Sequence, residues 1–167
     1  IKFPRPMLDK NNLDFSFAGL KTAVLYYVQK QAAGGTRFDE RARRAGLDLS
    51  VRKLKKEVIN NICASFQAAV CDVLVKKMER AAVQYKVKSL MVVGGVSANK
   101  ELRRRAEVLG VTLKSPVQVY MPKLEFTGDN AAMIAAAAYY HRHDKGLKGN
   151  WKTLRFNPQM RLTSEKA

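Results

Sequence analysis

Apolar and polar positions alternate along this chain in a pattern that predicts helices separated by two short strands. Leu20, Val24, Tyr27 and Val28 recur at helical spacing within residues 17–31, and Gly34-Gly35 ends that run. Ser50 reads as the N-cap of a long helix with an apolar stripe of Leu54, Val58, Ile62, Phe66, Val70, Val73 and Leu74, extending to about Tyr85. Residues 89–93 form a short apolar run between a basic segment and a glycine pair, the pattern of a buried strand. Residues 98–109 return to helical spacing and stop at Gly110. Pro116 introduces a second strand at 117–121, and an alanine-rich helix covers 130–143. Helix, strand, helix, strand, helix is the order of an α/β unit with parallel strands.

The ends and one interior stretch lack this periodicity. Phe3-Pro4-Arg5-Pro6 cannot lie inside a helix, because proline lacks an N–H and pushes its predecessor into extended geometry. It reads as a linker arriving from something upstream, and Ile1 in place of an initiator Met suggests a fragment. A polar, basic insertion occupies 32–50, and a tail with Trp151 and Phe156 occupies 146–167.

Composition changes the picture in one respect. The 167 residues are 47% hydrophobic, enough for a real core, yet 31 Lys+Arg against 14 Asp+Glu give a net charge of +17. Such an excess suits a polyanion such as RNA or DNA, and equally a solvated basic surface; charge alone does not choose. The basic residues cluster at Lys53, Lys55 and Lys56, at Lys76 and Lys77, at Arg103, Arg104 and Arg105, and at Arg142. No uninterrupted apolar run approaches the ~20 residues that span a bilayer, and no secretory pattern opens the chain. The default is a soluble, cytoplasmic protein. Cys63 and Cys71, eight positions apart on one helix, are ~12 Å apart along its axis, too far to pair, and read as two buried thiols.

Two segments carry candidate chemistry. Gly94-Gly95 directly follows a strand, where backbone without a β-carbon can turn sharply and approach a ligand closely. The next helix would aim free N–H groups and its positive end at that ligand, and Asn99 adds an amide that both donates and accepts. No Gly-Lys-Ser/Thr follows, and Gly-x-Gly-x-x-Gly is absent, so neither a Walker A loop nor a dinucleotide fingerprint is present. A ligand-free strand-to-helix turn would use the same residues. Asp129, after Thr127-Gly128, opens the alanine-rich helix. Capping is the commoner role for such an aspartate; a ligand for a divalent metal is the alternative. Both segments follow strands expected to be parallel, and ligands gather at the carboxyl ends of such strands, so Gly94, Asn99 and Asp129 are expected to border one crevice. His141 and His143 point to different sides of a helix and suit a surface role. Tyr26, Tyr27, Tyr139 and Tyr140 suit core or rim positions.

Five stretches occur in one order: Phe3-Pro4-Arg5-Pro6; Asp14-Phe15-Ser16-Phe17-Ala18-Gly19-Leu20-Lys21-Thr22; Ala64-Ser65-Phe66-Gln67; Val93-Gly94-Gly95-Val96-Ser97-Ala98-Asn99; and Thr127-Gly128-Asp129-Asn130-Ala131-Ala132-Met133. In them the chain resembles the C-terminal half of the tRNA N6-adenosine threonylcarbamoyltransferases, the TsaD type, across about residues 1–140. The resemblance implies an actin-like/Hsp70-like ATPase fold, of which residues 1–167 would be most of the second lobe. It implies transfer of a threonylcarbamoyl group from threonylcarbamoyl-adenylate to N6 of the adenosine beside the anticodon of a tRNA, with AMP released. It places adenylate binding on Gly94, Gly95 and Asn99. It makes Asp129 a ligand of one divalent metal ion, usually iron. It also implies partners: tRNA, an N-terminal lobe bearing the other metal ligands, and accessory proteins of a tRNA-modification complex.

Two departures qualify these expectations. The family's Ser-Phe-Ser-Gly-Leu is here Ser16-Phe17-Ala18-Gly19-Leu20, which loses a hydroxyl and keeps the turn. Its His-x-x-x-His metal pair belongs to the N-terminal lobe and has no counterpart here, so this chain alone is expected to be inactive. The exposed lobe is expected to be capable of forming a homodimer. The alternatives are a non-catalytic tRNA-binding or assembly module, and the carbamoyltransferase domain of a related family.

Overall fold

The computed structural model describes residues 1–32 and 54–143. Nearly all of the basic insertion, together with Gly34-Gly35, Ser50 and the tail at 146–167, lies outside the described residues. The chain divides into two compact units, Ile1–Thr127 and Gly128–Ala167.

In the first unit α1 spans Ala18–Ala32, α2 Lys56–Tyr85, β1 Ser89–Met91, α3 Lys100–Thr112 and β2 Gln118–Tyr120. A 3-10 turn, Gly95–Ala98, precedes α3, and another, Leu124–Phe126, follows β2. β1 and β2 pair in parallel, Ser89 with Gln118, Leu90 with Val119 and Met91 with Tyr120, so α3 is the crossover between them. The expected helix-strand-helix-strand order is present. Each strand is shorter than its apolar run, although Val92 N–H still bonds to Tyr120 O at 3.0 Å. The expectation of a buried strand fails. Met91 is 74% exposed, and in both strands only the central residue, Leu90 or Val119, is partly covered.

α2 is the scaffold and packs against α1, α3 and β1. It begins at Lys56 and ends where Lys86 turns left-handed, at φ 49°, and donates its N–H to Ala82 O. By length and composition α2 could also cross a membrane, which the test for an uninterrupted apolar run overlooked. In this fold some of its apolar positions, Ile62, Ala69 and Val73 among them, are buried against neighbouring elements. Ile62 and Ala69 meet Phe3 and Leu20 in a buried cluster, with Phe17, Val24, Tyr27 and Phe66 packed around it. Val73, Leu102, Ala106, Leu109 and Val117 are also buried.

Two local expectations are corrected by packing. The segment read as a linker is docked: Phe3 is buried and meets the Tyr27 ring edge-on at 5.7 Å. Proline bars it from a helix but not from the core. Gly110 does not stop α3, which runs on to Thr112. A β-carbon at Gly110 would lie 2.8 Å from both Val117 O and Val119 Cγ2, so glycine there lets the helix press against β2.

Some of the basic residues are engaged inside this unit. Asp72, midway along α2, accepts from Arg5 Nε at 2.8 Å and Arg105 Nη1 at 2.6 Å, tying the N-terminal segment and α3 to the scaffold. Glu101 pairs with Arg104 and Arg105. Lys77 is buried and donates to Asn12 O at 2.8 Å and Lys10 O at 3.1 Å; Arg80 reaches the same two carbonyls. Burial lowers the Lys77 pKa below the usual lysine value. Arg105 and Lys77 are therefore structural cations, whereas Arg104 is exposed and pairs with Glu101 on its own helix.

These ion pairs carry a pH signature. Hydrogen bonds from Arg104 and Arg105 push the Glu101 carboxyl from 4.5 down to about 2. Burial acts to raise the Asp72 carboxyl, but the two arginines outweigh it and hold it below 3.8. Depressed folded-state values stabilise the fold above the unfolded-state values, and that contribution is lost as pH falls through the folded ones. The thermal midpoint should therefore hold from neutral pH to about 4.5 and fall between there and about 2. A midpoint that stays flat through this window, followed by circular dichroism, would remove these bridges from the account of stability.

The second unit contains α4, Ala131–Tyr140, shorter than the expected 130–143. Its N-cap is Asn130, whose Oδ1 accepts from Met133 N–H at 2.9 Å. Tyr139 and Tyr140 meet edge to face at 5.6 Å, and the Arg142 guanidinium lies 4.0 Å from the Tyr139 ring centre.

Candidate functional site

Beyond β1 the chain turns at Gly94, with φ +85° and ψ 174°. Only glycine enters this region without strain. A β-carbon at Gly94 or Gly95 would meet nothing within 4 Å. Backbone conformation, not crowding, demands glycine at 94, and the space above the peptide is open.

The sequence expectation that the glycine pair leads straight into an α-helix is corrected here. The 3-10 turn intervenes, with Ser97 N–H bonded to Gly94 O at 2.9 Å and Asn99 N–H to Val96 O at 3.0 Å. Among the described residues, the N–H groups of Gly95 and Val96 have no protein acceptor. Arg103 braces the turn, donating from Nε to Ser97 O and from Nη2 to Pro122 O, each at 2.6 Å. Asn99 is the N-cap of α3 rather than a first-turn residue. Its Oδ1 accepts from Leu102 N–H at 3.0 Å, and its Nδ2 donates to Gln67 Oε1 at 3.0 Å. One N–H and one oxygen lone pair of the carboxamide remain for a ligand.

This turn walls a groove of about 680 Å³. α2 contributes Cys63, Phe66, Gln67 and Val70, and the start of α1 contributes Lys21, with Phe15 and Phe17 just before it. The lining is mostly apolar with a few polar groups, the usual make-up of a small-molecule site. Lys21 is the only charged side chain among its described lining residues. Ser97, fully buried at the turn, has a hydroxyl without a hydrogen-bond partner.

Gly94, Gly95 and Asn99 line one groove; the expected crevice also included Asp129, which is not among the described lining residues. Phe15, Phe17, Lys21, Phe66 and Gln67 are lining residues that the residue-by-residue reading missed. Their signal lay in the stretches at 14–22 and 64–67. The expectation of two buried thiols is half right: Cys71 is buried, and burial raises its pKa, whereas Cys63 is exposed; neither is in a disulfide.

Asp129 belongs to the second unit and is exposed. The capping role favoured by its position falls to Asn130 instead. Among the described residues no three His, Cys, Asp or Glu side chains are grouped to hold a metal ion. Asp129 is a single carboxylate, and one such ligand does not make a site for a divalent cation.

The family model described as TsaD, tRNA N6-adenosine threonylcarbamoyltransferase, matches residues 1–136, a span that includes every described lining residue of the groove. The chain belongs to this family. It is 41% identical over 160 residues, 96% of its length, to the tRNA N6-adenosine threonylcarbamoyltransferase of Thermosipho africanus. It is 45% identical over 137 residues, 82% of its length, to that of Albidiferax ferrireducens, and 40% identical over 141 residues, 84% of its length, to that of Geotalea daltonii. The chain spans only 41%, 35% and 35% of the lengths of these threonylcarbamoyltransferases.

Proposed function

We propose that this chain is most of the second lobe of an actin-like tRNA N6-adenosine threonylcarbamoyltransferase and supplies the adenylate-binding half of its site. The observation that carries this reading is the convergence of the Gly94 turn and Asn99 on one apolar groove, whose lining residues Gly95 and Val96 have backbone N–H groups with no acceptor among the described residues. In the reaction the N6 amine of adenosine attacks the carbonyl carbon of the threonylcarbamoyl group. The bond from that carbon to the phosphate oxygen breaks, AMP leaves, and N6 gives up a proton. An exocyclic adenine amine is a weak nucleophile, so holding the activated carbonyl in place supplies much of the rate. The groove's apolar walls receive a flat base and exclude water. Asn99 offers its remaining donor and acceptor to the ligand, and Lys21 offers a charge to the phosphate. Lysines outside the internal ion pairs contribute to holding the tRNA backbone.

Titration of the chain with AMP, followed by NMR, tests this reading. Asn99→Ser keeps a good capping residue while removing the amide, and should weaken AMP binding by about 1–3 kcal/mol. Absence of AMP binding by the parent chain, or equal affinity in the variant, would overturn the assignment.

The family resemblance also casts Asp129 as one ligand of a divalent ion, iron being the usual one, with its remaining ligands supplied by a partner lobe. This chain by itself should then fail to turn over. In a protein of the relatives' full length, Asp129→Asn should lower bound metal, measured by elemental analysis. Undiminished metal would strike Asp129 from the ligands.

A further inference from the structure

We propose that Gln67, on α2, is a positioning residue that sets the plane of the Asn99 carboxamide; the inference rests on the reading of the groove as an adenylate site. The two ends of the Asn99 amide are told apart by what they meet. A backbone N–H, that of Leu102, faces one end at 3.0 Å, so that end is the oxygen. The other end is then Nδ2, and the Gln67 atom facing it at 3.0 Å must be an acceptor, Oε1. The cap therefore fixes the orientation of both amides.

A single hydrogen bond holds one atom of a carboxamide and leaves its plane free to swing about that contact. A second bond, from a different element, holds the plane. Gln67 supplies it from the scaffold helix, 32 residues away in sequence, and both side chains line the groove. With the plane held, the second Nδ2 proton and the second oxygen lone pair of Asn99 keep fixed directions. A ligand that uses them need not first order the amide. The bond is solvent-exposed and Leu102 N–H remains capped without it, so it adds little to folding stability.

Isosteric substitution separates positioning from packing. Gln67→Met keeps the chain length and removes the acceptor; Gln67→Glu keeps an acceptor for Asn99. In 15N-edited spectra of the ligand-free chain, one Asn99 Nδ2 proton should be shifted downfield by its bond. Gln67→Met should move it to the position of a free amide, and Gln67→Glu should restore it. Gln67→Met should weaken AMP binding about three- to tenfold, with the thermal midpoint unchanged. In the Asn99→Ser background the same change should have no further effect on AMP. If the parent and Asn99→Ser behave as proposed above but Gln67→Met binds AMP like the parent, or its effect multiplies with that of Asn99→Ser, the positioning role is overturned and the groove assignment stands. If the parent chain does not bind AMP, both fall.

Discussion

Leu20→Ala should destabilise the first unit by about 2–5 kcal/mol, read as a lower urea midpoint at an unchanged slope. Leu20 is fully buried, where Phe3, Ile62 and Ala69 converge from the N-terminal segment and α2. Removing its terminal carbons loses their transfer free energy and leaves a cavity that three separate stretches of chain would have to shift to fill. Because α1 and the N-terminal segment are held to α2 through this cluster, Phe15, Phe17 and Lys21 should lose order with it. AMP affinity should then fall although Leu20 does not line the groove. A midpoint that moves by less than about 1 kcal/mol would mean the cluster collapses readily around the smaller side chain.

Gly94→Ala should be the most damaging single-carbon addition at the groove. At φ +85° and ψ 174° an L-residue is strained by about 1–3 kcal/mol, although no neighbour would touch the new carbon. The chain can accept that strain or relieve it by rotating the peptide. Rotation of the Gly94–Gly95 peptide would break the bond from Ser97 N–H to Gly94 O and re-aim the Gly95 N–H. Either way stability falls, and in the second case AMP affinity falls as well. Parallel measurement of the urea midpoint and AMP titration distinguishes them. Alanine tolerated with no change in either would show that the turn adapts at no cost and that glycine is not required there.

The sequence carried the order of elements, the glycine turn and Asn99, because each depends on residues close together in the chain, and a helix between two strands implies their parallel pairing. Helical spacing located α1 and the body of α2, and the apolar runs located both strands. It misjudged features whose cause lies elsewhere in the fold. Gly110 looked like a helix stop because nothing local reveals that β2 presses against it. The roles of Arg103 and Arg105 stayed open because their partners include Asp72, on another helix, and carbonyls at 97 and 122. Phe3-Pro4-Arg5-Pro6 looked like a tether because its anchors, Tyr27 and Asp72, are distant in sequence. Asp129 looked like the cap because Asp and Asn are adjacent there, and only the backbone geometry gives the role to Asn130.

The amino-acid sequence by itself determined the family and the residues able to make a sharp strand-end turn, since glycine at a strand end and an amide five positions later are properties of short peptides. Only the tertiary structure decided that aromatic residues from 14–22 and the glutamine at 67 wall the same groove, and that Asn99 spends half its hydrogen-bonding capacity on protein. The physical reason is that a groove and a hydrogen-bond partner arise from the packing of α1, α2 and the turn. Such packing joins residues tens of positions apart, where no local periodicity can link them.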